Sequence, residues 1–180
     1  MPEVQHLVVM GVAGSGKTTT AQILADRLNW PYAEADEFHP QANIDKMSAG
    51  TPLTDEDRWP WLRAMRDWLT EQSRAGRSTI VTCSALRVAY RDVLREAEGR
   101  VRFVHLSGTI ESIGERMSGR AWHFMPTSLL PSQFQTLEPL TDAEDGVVVE
   151  VEVSPHSVAD AALRALGIDP ATTRATEETR

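Results

Sequence analysis

HLVVMGVAGSGKTTTAQILADRLN, residues 6–29, is the stretch that decides the fold. An apolar run from His6 to Met10 stops at a glycine, and the pattern G-x-x-x-x-G-K-[ST] follows at once, filled by Gly11, Gly16, Lys17 and Thr18. A strand, a glycine-rich turn and a helix in immediate succession form the unit that cradles a phosphate chain. Backbone N–H groups at a helix start have no intrahelical partner and sit at the positive end of the helix dipole, so they suit an anion. Gly11, Gly14 and Gly16 let the backbone wrap closely around a β-phosphate. Lys17 is expected to bridge β- and γ-phosphate oxygens, and the Thr18 hydroxyl to ligate Mg²⁺. The expected nucleotide-binding set is Gly11, Ala13, Gly14, Ser15, Gly16, Lys17, Thr18 and Thr19, with ATP and Mg²⁺ as ligands.

Outward from this unit, short apolar runs alternate with helical patterns. STIVTC (78–83), VRFVHL (101–106) and VVVEVEV (147–153) read as strands beside HLVVM, with a weaker fifth in WPYAEA (30–35). Continuous apolar runs imply strands covered on both faces, whereas the alternation late in VVVEVEV places that strand nearer an edge. The expectation is a three-layer α/β/α fold of the P-loop kinase type around a five-stranded, mostly parallel sheet. Thr18–Asn29 reads as the first helix. Thr54 and Asp57 resemble a capping box ahead of Trp61, Leu62, Met65, Trp68 and Leu69, in a helix ending near Gly76. LRVAYRDVLREAEG makes another, closed by Gly99. Ile110, Ile113 and Met117 form one apolar stripe, and Ser154 and Gly167 bracket a last helix.

One domain is expected over residues 1–168, with a polar tail DPATTRATEETR at 169–180. The segment GRAWHFMPTSLLP, 119–131, fits neither template; it is either a lid that closes over ligand or an ordinary irregular connection. The net charge of -8, from 26 acidic and 18 basic residues without a basic block, argues against nucleic acid or an anionic membrane as partner and favours a small-molecule substrate. The single Cys83 reads as a buried small hydrophobe. No signal peptide or membrane-length apolar run is evident, so a cytoplasmic location is expected.

A GTPase switch needs N-K-x-D and D-x-x-G motifs, and neither occurs; the run STIVTC lacks the terminal acid of a motor ATPase. The kinase reading leads, with a nucleotide-binding protein that has lost transfer as the alternative from another class. A kinase acceptor site lies beyond the carboxyl ends of the strands. Asp36, in EADEFHP, is placed there to orient an attacking hydroxyl or take its proton, although a solvated loop carboxylate is the plainer reading. Arg58 has the planar fork to grip a carboxylate, or else pairs with its acidic neighbours. Arg116 and Arg120, four apart, border the segment at 119–131 and are candidates to neutralise charge on the transferred phosphoryl group, or are ordinary surface arginines. His39 suits a hydrogen bond to a polyol or a turn cap, and His123 is a candidate of the same kind. His6, His105 and His156 read as structural or solvated.

On GVAGSGKTT, ADEFHPQANIDKMSAGTPLTDEDRWPWL, CSALRVAYRDVLR and HFMPTSLLPSQFQTLEPL, the chain resembles the bacterial gluconokinases, in the shikimate-kinase-like and nucleoside-monophosphate-kinase-like group of P-loop proteins. These blocks span most of residues 8–140; the first is shared by many NTPases, and the second and the CSAL stretch are specific to the family. The resemblance implies ATP-dependent phosphorylation of D-gluconate on its 6-hydroxyl, a lid and a homodimer. It makes Asp36 the residue that orients the hydroxyl and Arg58 the carboxylate clamp. His39, Lys46 and Ser84 become pocket walls, with Arg87 and Arg91 as further candidates and His123 at the lid. Arg116 and Arg120 resemble lid arginines, one near adenine and one near the phosphates, and Pro155 flanks the base. Family members often carry lysines around the lid histidine. Here Lys17 and Lys46 are the only lysines, so a lid cation must be Arg.

Overall fold

The computed structural model describes residues 3–118, 130–151 and 154–171, with backbone alone at 116–118. Five parallel strands, β1 (Gln5–Met10), β2 (Tyr32–Glu34), β3 (Thr79–Thr82), β4 (Arg100–Ser107) and β5 (Gly146–Glu150), form one sheet in the order β2-β3-β1-β4-β5. The sheet is therefore parallel throughout, and β5 lies at an edge as its alternation suggests. Among the described residues seven α-helices connect and cover the strands: α1 (Lys17–Leu28), α2 (Gln41–Ser48), α3 (Asp55–Arg74), α4 (Val88–Arg95), α5 (Ile110–Ser118), α6 (Leu130–Thr136) and α7 (Pro155–Leu166).

Both faces of β1 are buried, which is why its sequence is continuously apolar. Leu7 and Val9 join Ile80, Val104, Leu106 and Val149 beneath Leu24 and Leu28 of α1 and Val158, Ala162 and Leu163 of α7. Val8 and Met10 face the other way, with Val81, Cys83 and Phe103, against Leu62, Met65 and Leu69 of α3 and Leu94 of α4. Burial of one such side chain is worth about 1.5–3 kcal/mol, so the two layers supply most of the drive to fold. The thiol of Cys83 sits in the second layer, where burial pushes it up to about 12, out of reach of thiolate chemistry.

Local signals set the helix ends. Thr54 and Asp57 exchange side-chain and backbone hydrogen bonds as a capping box at the start of α3. Ser154 caps α7 at Ser157 N–H, and Gly167 ends it at φ 70°. Asn29 closes α1 in the left-handed region, at φ 56°. The helices α2 and α6 have no counterpart in the sequence reading. The first buries only Asn43 and leaves Ile44 and Met47 exposed, so no apolar stripe announces it. The second takes Leu130 and Pro131 out of the irregular segment expected at 119–131, and Leu130 is buried. The rest of that segment, with Arg120 and His123, lies outside the described residues, as does the tail beyond 171. Among the described residues no helix is long and apolar enough to cross a membrane.

Candidate active site

The strand register brings the site together. Val9 pairs with Thr82, and Thr82 with Glu34, so the residues that leave β1, β3 and β2 emerge side by side at the carboxyl edge of the sheet. They are the loop from Gly11 to Gly16, the Cys83–Ser84–Ala85 turn, and the 3₁₀ turn Ala35–Phe38 that carries Asp36. The sheet order makes this the crevice where an open α/β sheet binds ligands, because β2 and β3 extend to one side of β1 and β4 and β5 to the other.

The phosphate loop is held by its own backbone and by its neighbours. Gly11 N–H donates to Ser84 O (3.3 Å), Ser15 N–H to Val12 O (3.3 Å), and Ala13 N–H to Oε1 of Gln133 on α6 (2.7 Å). Gly11, Gly14 and Gly16 adopt φ of 149°, 78° and 91°, and a Cβ at Gly11 would stand 2.8 Å from Ser15 Oγ and 2.9 Å from Leu106 O. These are the conformations and approach that only glycine permits. Lys17 Nζ donates to Gly11 O and Val12 O, both at 3.0 Å, so the ammonium lies folded against the loop. Burial holds the Lys17 amine down at about 8, against the opposing pull of Cys83, Asp36 and Glu34. Ser15 is buried, and among the described residues its Oγ has no hydrogen-bond partner. An unpartnered buried hydroxyl beside a ring of helix-start N–H groups fits a phosphate chain, and the exposed Thr18, one residue into α1, fits a Mg²⁺ ligand.

On the acceptor side the Asp36 side chain is 92% exposed, and that of His39 only 5%. His39 stacks on Trp61 (ring centroids 4.3 Å apart, planes at 13°), while Trp61 Nε1–H donates to Ala35 O (2.7 Å). Burial lowers the His39 pKa, helped by Arg58 and opposed by Asp36, so the ring is neutral near pH 7. Arg58 donates to Asp55 Oδ1 (3.1 Å) and lies 5.6 Å from the Tyr90 ring, whose hydroxyl donates to the same carboxylate oxygen (2.6 Å). Tyr90, then Arg58 and Arg87, hold the Asp55 carboxyl below its usual range. Arg87, exposed, is the residue before α4. Lys46 Nζ donates to Asp57 Oδ2 (2.8 Å), tying α2 to the cap of α3; that bond, with the Thr54 N–H, brings Asp57 down to about 2.

Comparison with known proteins fixes the lineage. Residues 7–140 match the family described as AAA domain. The chain is 49% identical to the gluconokinase of Gluconobacter oxydans (strain 621H), covering 89% of this chain and 90% of that one. It is 41% identical to the thermosensitive gluconokinase of Escherichia coli (strain K12), over 87% and 82%. It belongs to the gluconokinase family. Solved structures agree. A gluconokinase from Sinorhizobium meliloti 1021 superposes with a TM-score of 0.82 at 42% identity, covering 93% of this chain and 94% of that one. A sugar kinase from Janibacter sp. HTCC2649 gives 0.87 at 53%, over 93% and 97%. The shikimate kinase of Aquifex aeolicus shares the fold alone (TM-score 0.64, 18% identity, over 90% and 96%).

For this gluconokinase-family chain, the sequence-derived residues divide three ways. Gly11, Ala13, Gly14, Ser15, Gly16, Lys17, Thr18 and Thr19 lie on the loop and first turn, facing the strand ends that carry Asp36 and Ser84. His39, Arg58 and Arg87 belong to the acceptor side: Asp36 and Arg58 act on the His39 ring, and Arg58 and Arg87 on the Asp55 carboxyl. Arg91 is different: as a pocket wall it is a misreading. Its fully buried guanidinium is committed to Glu144 (Nη2 to Oε1, 3.2 Å), Ala85 O (2.7 Å), Glu138 O (3.0 Å) and Pro139 O (3.2 Å). The Ala85 whose carbonyl accepts from Nη1 stands at φ 46°, a conformation costly for a side-chain-bearing residue. Arg116 lies on α5 with only its backbone described, and Pro155 opens α7. Sequence reasoning missed Asn43, Asp55, Tyr90 and Gln133. Tyr90 and Gln133 act on partners 35 and 120 residues away and Asn43 on Asp57, 14 residues on, whereas Asp55, the first residue of α3, also has Arg58 three residues on.

Proposed function

We propose that the protein transfers the γ-phosphoryl group of ATP to the 6-hydroxyl of D-gluconate, giving 6-phospho-D-gluconate and ADP. The observation that carries this reading is the convergence, at one sheet edge, of a preformed phosphate loop with an exposed carboxylate, Asp36, in a gluconokinase-family chain. Backbone N–H groups of the loop hold the β-phosphate, and Lys17 exchanges its bonds to Gly11 O and Val12 O for β- and γ-phosphate oxygens. Thr18 holds Mg²⁺, which supplies charge neutralisation at the phosphates. Asp36 accepts the hydrogen bond of the attacking hydroxyl and takes its proton as the new O–P bond forms and the bond to the ADP oxygen breaks. Arg58 offers its guanidinium to the sugar-acid carboxylate, with Arg87 adding positive charge. His39, Lys46 and Ser84 line the acceptor site, and His123, outside the described residues, is assigned to the same substrate-binding set. Arg116 and Arg120 serve adenine and the transferred phosphoryl group, and Pro155 flanks the base. The protein acts as a cytoplasmic homodimer on a small-molecule substrate, without nucleic acid or membrane.

The test is an acceptor panel of gluconate, shikimate, glycerate and nucleoside monophosphates with ATP and Mg²⁺, product identified by mass. Phosphogluconate as the main product supports the proposal; gluconate turnover no greater than a blank overturns it.

A further inference from the structure

Asn43 is the one buried residue of α2, and its position is odd for a polar side chain on an otherwise exposed helix. Its carboxamide nitrogen has two protons to place. One goes to Asp57 O (2.9 Å), a carbonyl that accepts and never donates, which fixes which end of the amide is nitrogen. The other faces Nδ1 of His39 at 3.2 Å. Because Asn43 donates there, Nδ1 must be the lone-pair nitrogen, and the ring proton must sit on Nε2. The plane is locked by the Trp61 stack at 4.3 Å, and Nε2 stands 4.0 Å from Asp36 Oδ1. Asp36, on the turn before the ring, and Arg58, from α3, are the charged groups that influence it; Asp57 on α3 contributes its backbone carbonyl to Asn43 and its carboxylate to Lys46.

We propose that Asn43 is a positioning residue that holds His39 as the neutral Nε2–H tautomer, so that the acceptor site presents a fixed hydrogen-bond donor beside the Asp36 carboxylate. This rests on the reading of Asp36 as the group that receives the acceptor hydroxyl. A hydroxyl is both donor and acceptor, and the pair meets both needs: Asp36 takes its proton, and His39 Nε2–H gives one to an oxygen lone pair. A polyol satisfies the two together, on one hydroxyl or on neighbouring ones, whereas an alkyl group offers no partner to the His39 donor and none to the solvent-facing Asp36 carboxylate. The opposite tautomer would set a lone pair beside a carboxylate, with nothing between them to donate except the substrate. The imidazolium would lose the Asn43 bond, since both ring nitrogens then donate. Burial and Arg58 already oppose that charge, so the donor form persists through the neutral range.

The test is the ¹⁵N–¹H two-bond spectrum of the ligand-free, full-length protein at pH 7.5, with the His39 signals assigned by their loss in His39→Gln. Expected are a protonated-type Nε2 and a pyridine-type Nδ1. A protonated Nδ1 overturns the proposal without any variant. In Asn43→Asp the carboxylate accepts where the amide donated, so the spectrum should change to Nδ1–H or imidazolium, and the gluconate KM should rise about tenfold, the ATP KM changing less than about twofold. Asn43→Ala, which removes the donor without adding charge, should give mixed tautomers and a smaller rise. Unchanged tautomer in whichever variant folds overturns the role of Asn43. If gluconate is no substrate at all, the acceptor panel shows it, while the spectrum still decides the tautomer.

Discussion

The donor and acceptor halves of this site are built by different means. The phosphate loop is a backbone device: its donors are peptide N–H groups, its shape comes from three glycines at positive φ, and its lysine, Lys17, rests on the loop's own carbonyls. The acceptor half is a side-chain device assembled from the turn after β2, the starts of α2, α3 and α4, and the end of β3. Two of its cations are already paired, Arg58 with Asp55 and Lys46 with Asp57, and its carboxylate Asp36 is left open to solvent. Backbone donors are indifferent to which molecule supplies the phosphate, so the same loop serves many chemistries. On the proposed reading, side chains that exchange one carboxylate for another discriminate, because a ligand without the right charge would not displace Asp55 from Arg58.

The sharpest way to separate the halves is Asp36→Asn, which should cut turnover about 10²–10⁴-fold while ATP affinity, measured by calorimetry, stays within about twofold. Undiminished turnover would remove Asp36 from the chemistry. Lys17→Met attacks the other half: kcat should fall about 10²–10³-fold and ATP binding weaken with it, whereas the gluconate site should be untouched. A selective rise in gluconate KM would break the division. Arg58→Lys keeps the charge and loses the fork, so the gluconate KM should rise about 10–100-fold with the ATP KM steady. An equal change in both constants would place Arg58 outside the acceptor half.

The smallest effect is in pH. In the ligand-free protein burial holds the Lys17 amine at about 8, below its ordinary 10.5, so above pH 8 the loop carries neutral lysine. A bound phosphate, being anionic, should restore the charged form. ATP affinity should therefore be flat below pH 7 and fall by up to about tenfold per pH unit above 8, with proton uptake visible as a buffer-dependent binding enthalpy. Binding at pH 8.5 without proton uptake would show that Lys17 is already charged in the free loop.

Much of the fold was legible because its signals are local. The runs HLVVM, STIVTC and VRFVHL are continuous since both faces of their strands are covered, and the Thr54–Asp57 and Ser154–Gly167 signals stand within a turn of the helix ends they set. The helix α2 escaped because it has no apolar face, and α6 because it is short and abuts a segment of mixed character. Arg91 was misread for a related reason. An arginine in a family-specific block looks like a ligand contact until Glu144, 53 residues on, is seen to take its guanidinium.

Residues 6–29 by themselves determined that a phosphate chain binds, since strand, loop and helix are contiguous and the chemistry is in the backbone they form. The family-specific blocks identified the acceptor candidates Asp36, His39 and Arg58. Only the tertiary structure decided what those side chains are doing before substrate arrives: Arg58 paired with Asp55, His39 stacked on Trp61 and oriented by Asn43, Arg91 consumed in the core. The reason is physical. A backbone conformation is set by neighbours in sequence, but the charge, tautomer and availability of a side chain are set by neighbours in space, which the parallel strand register and the helix packing choose.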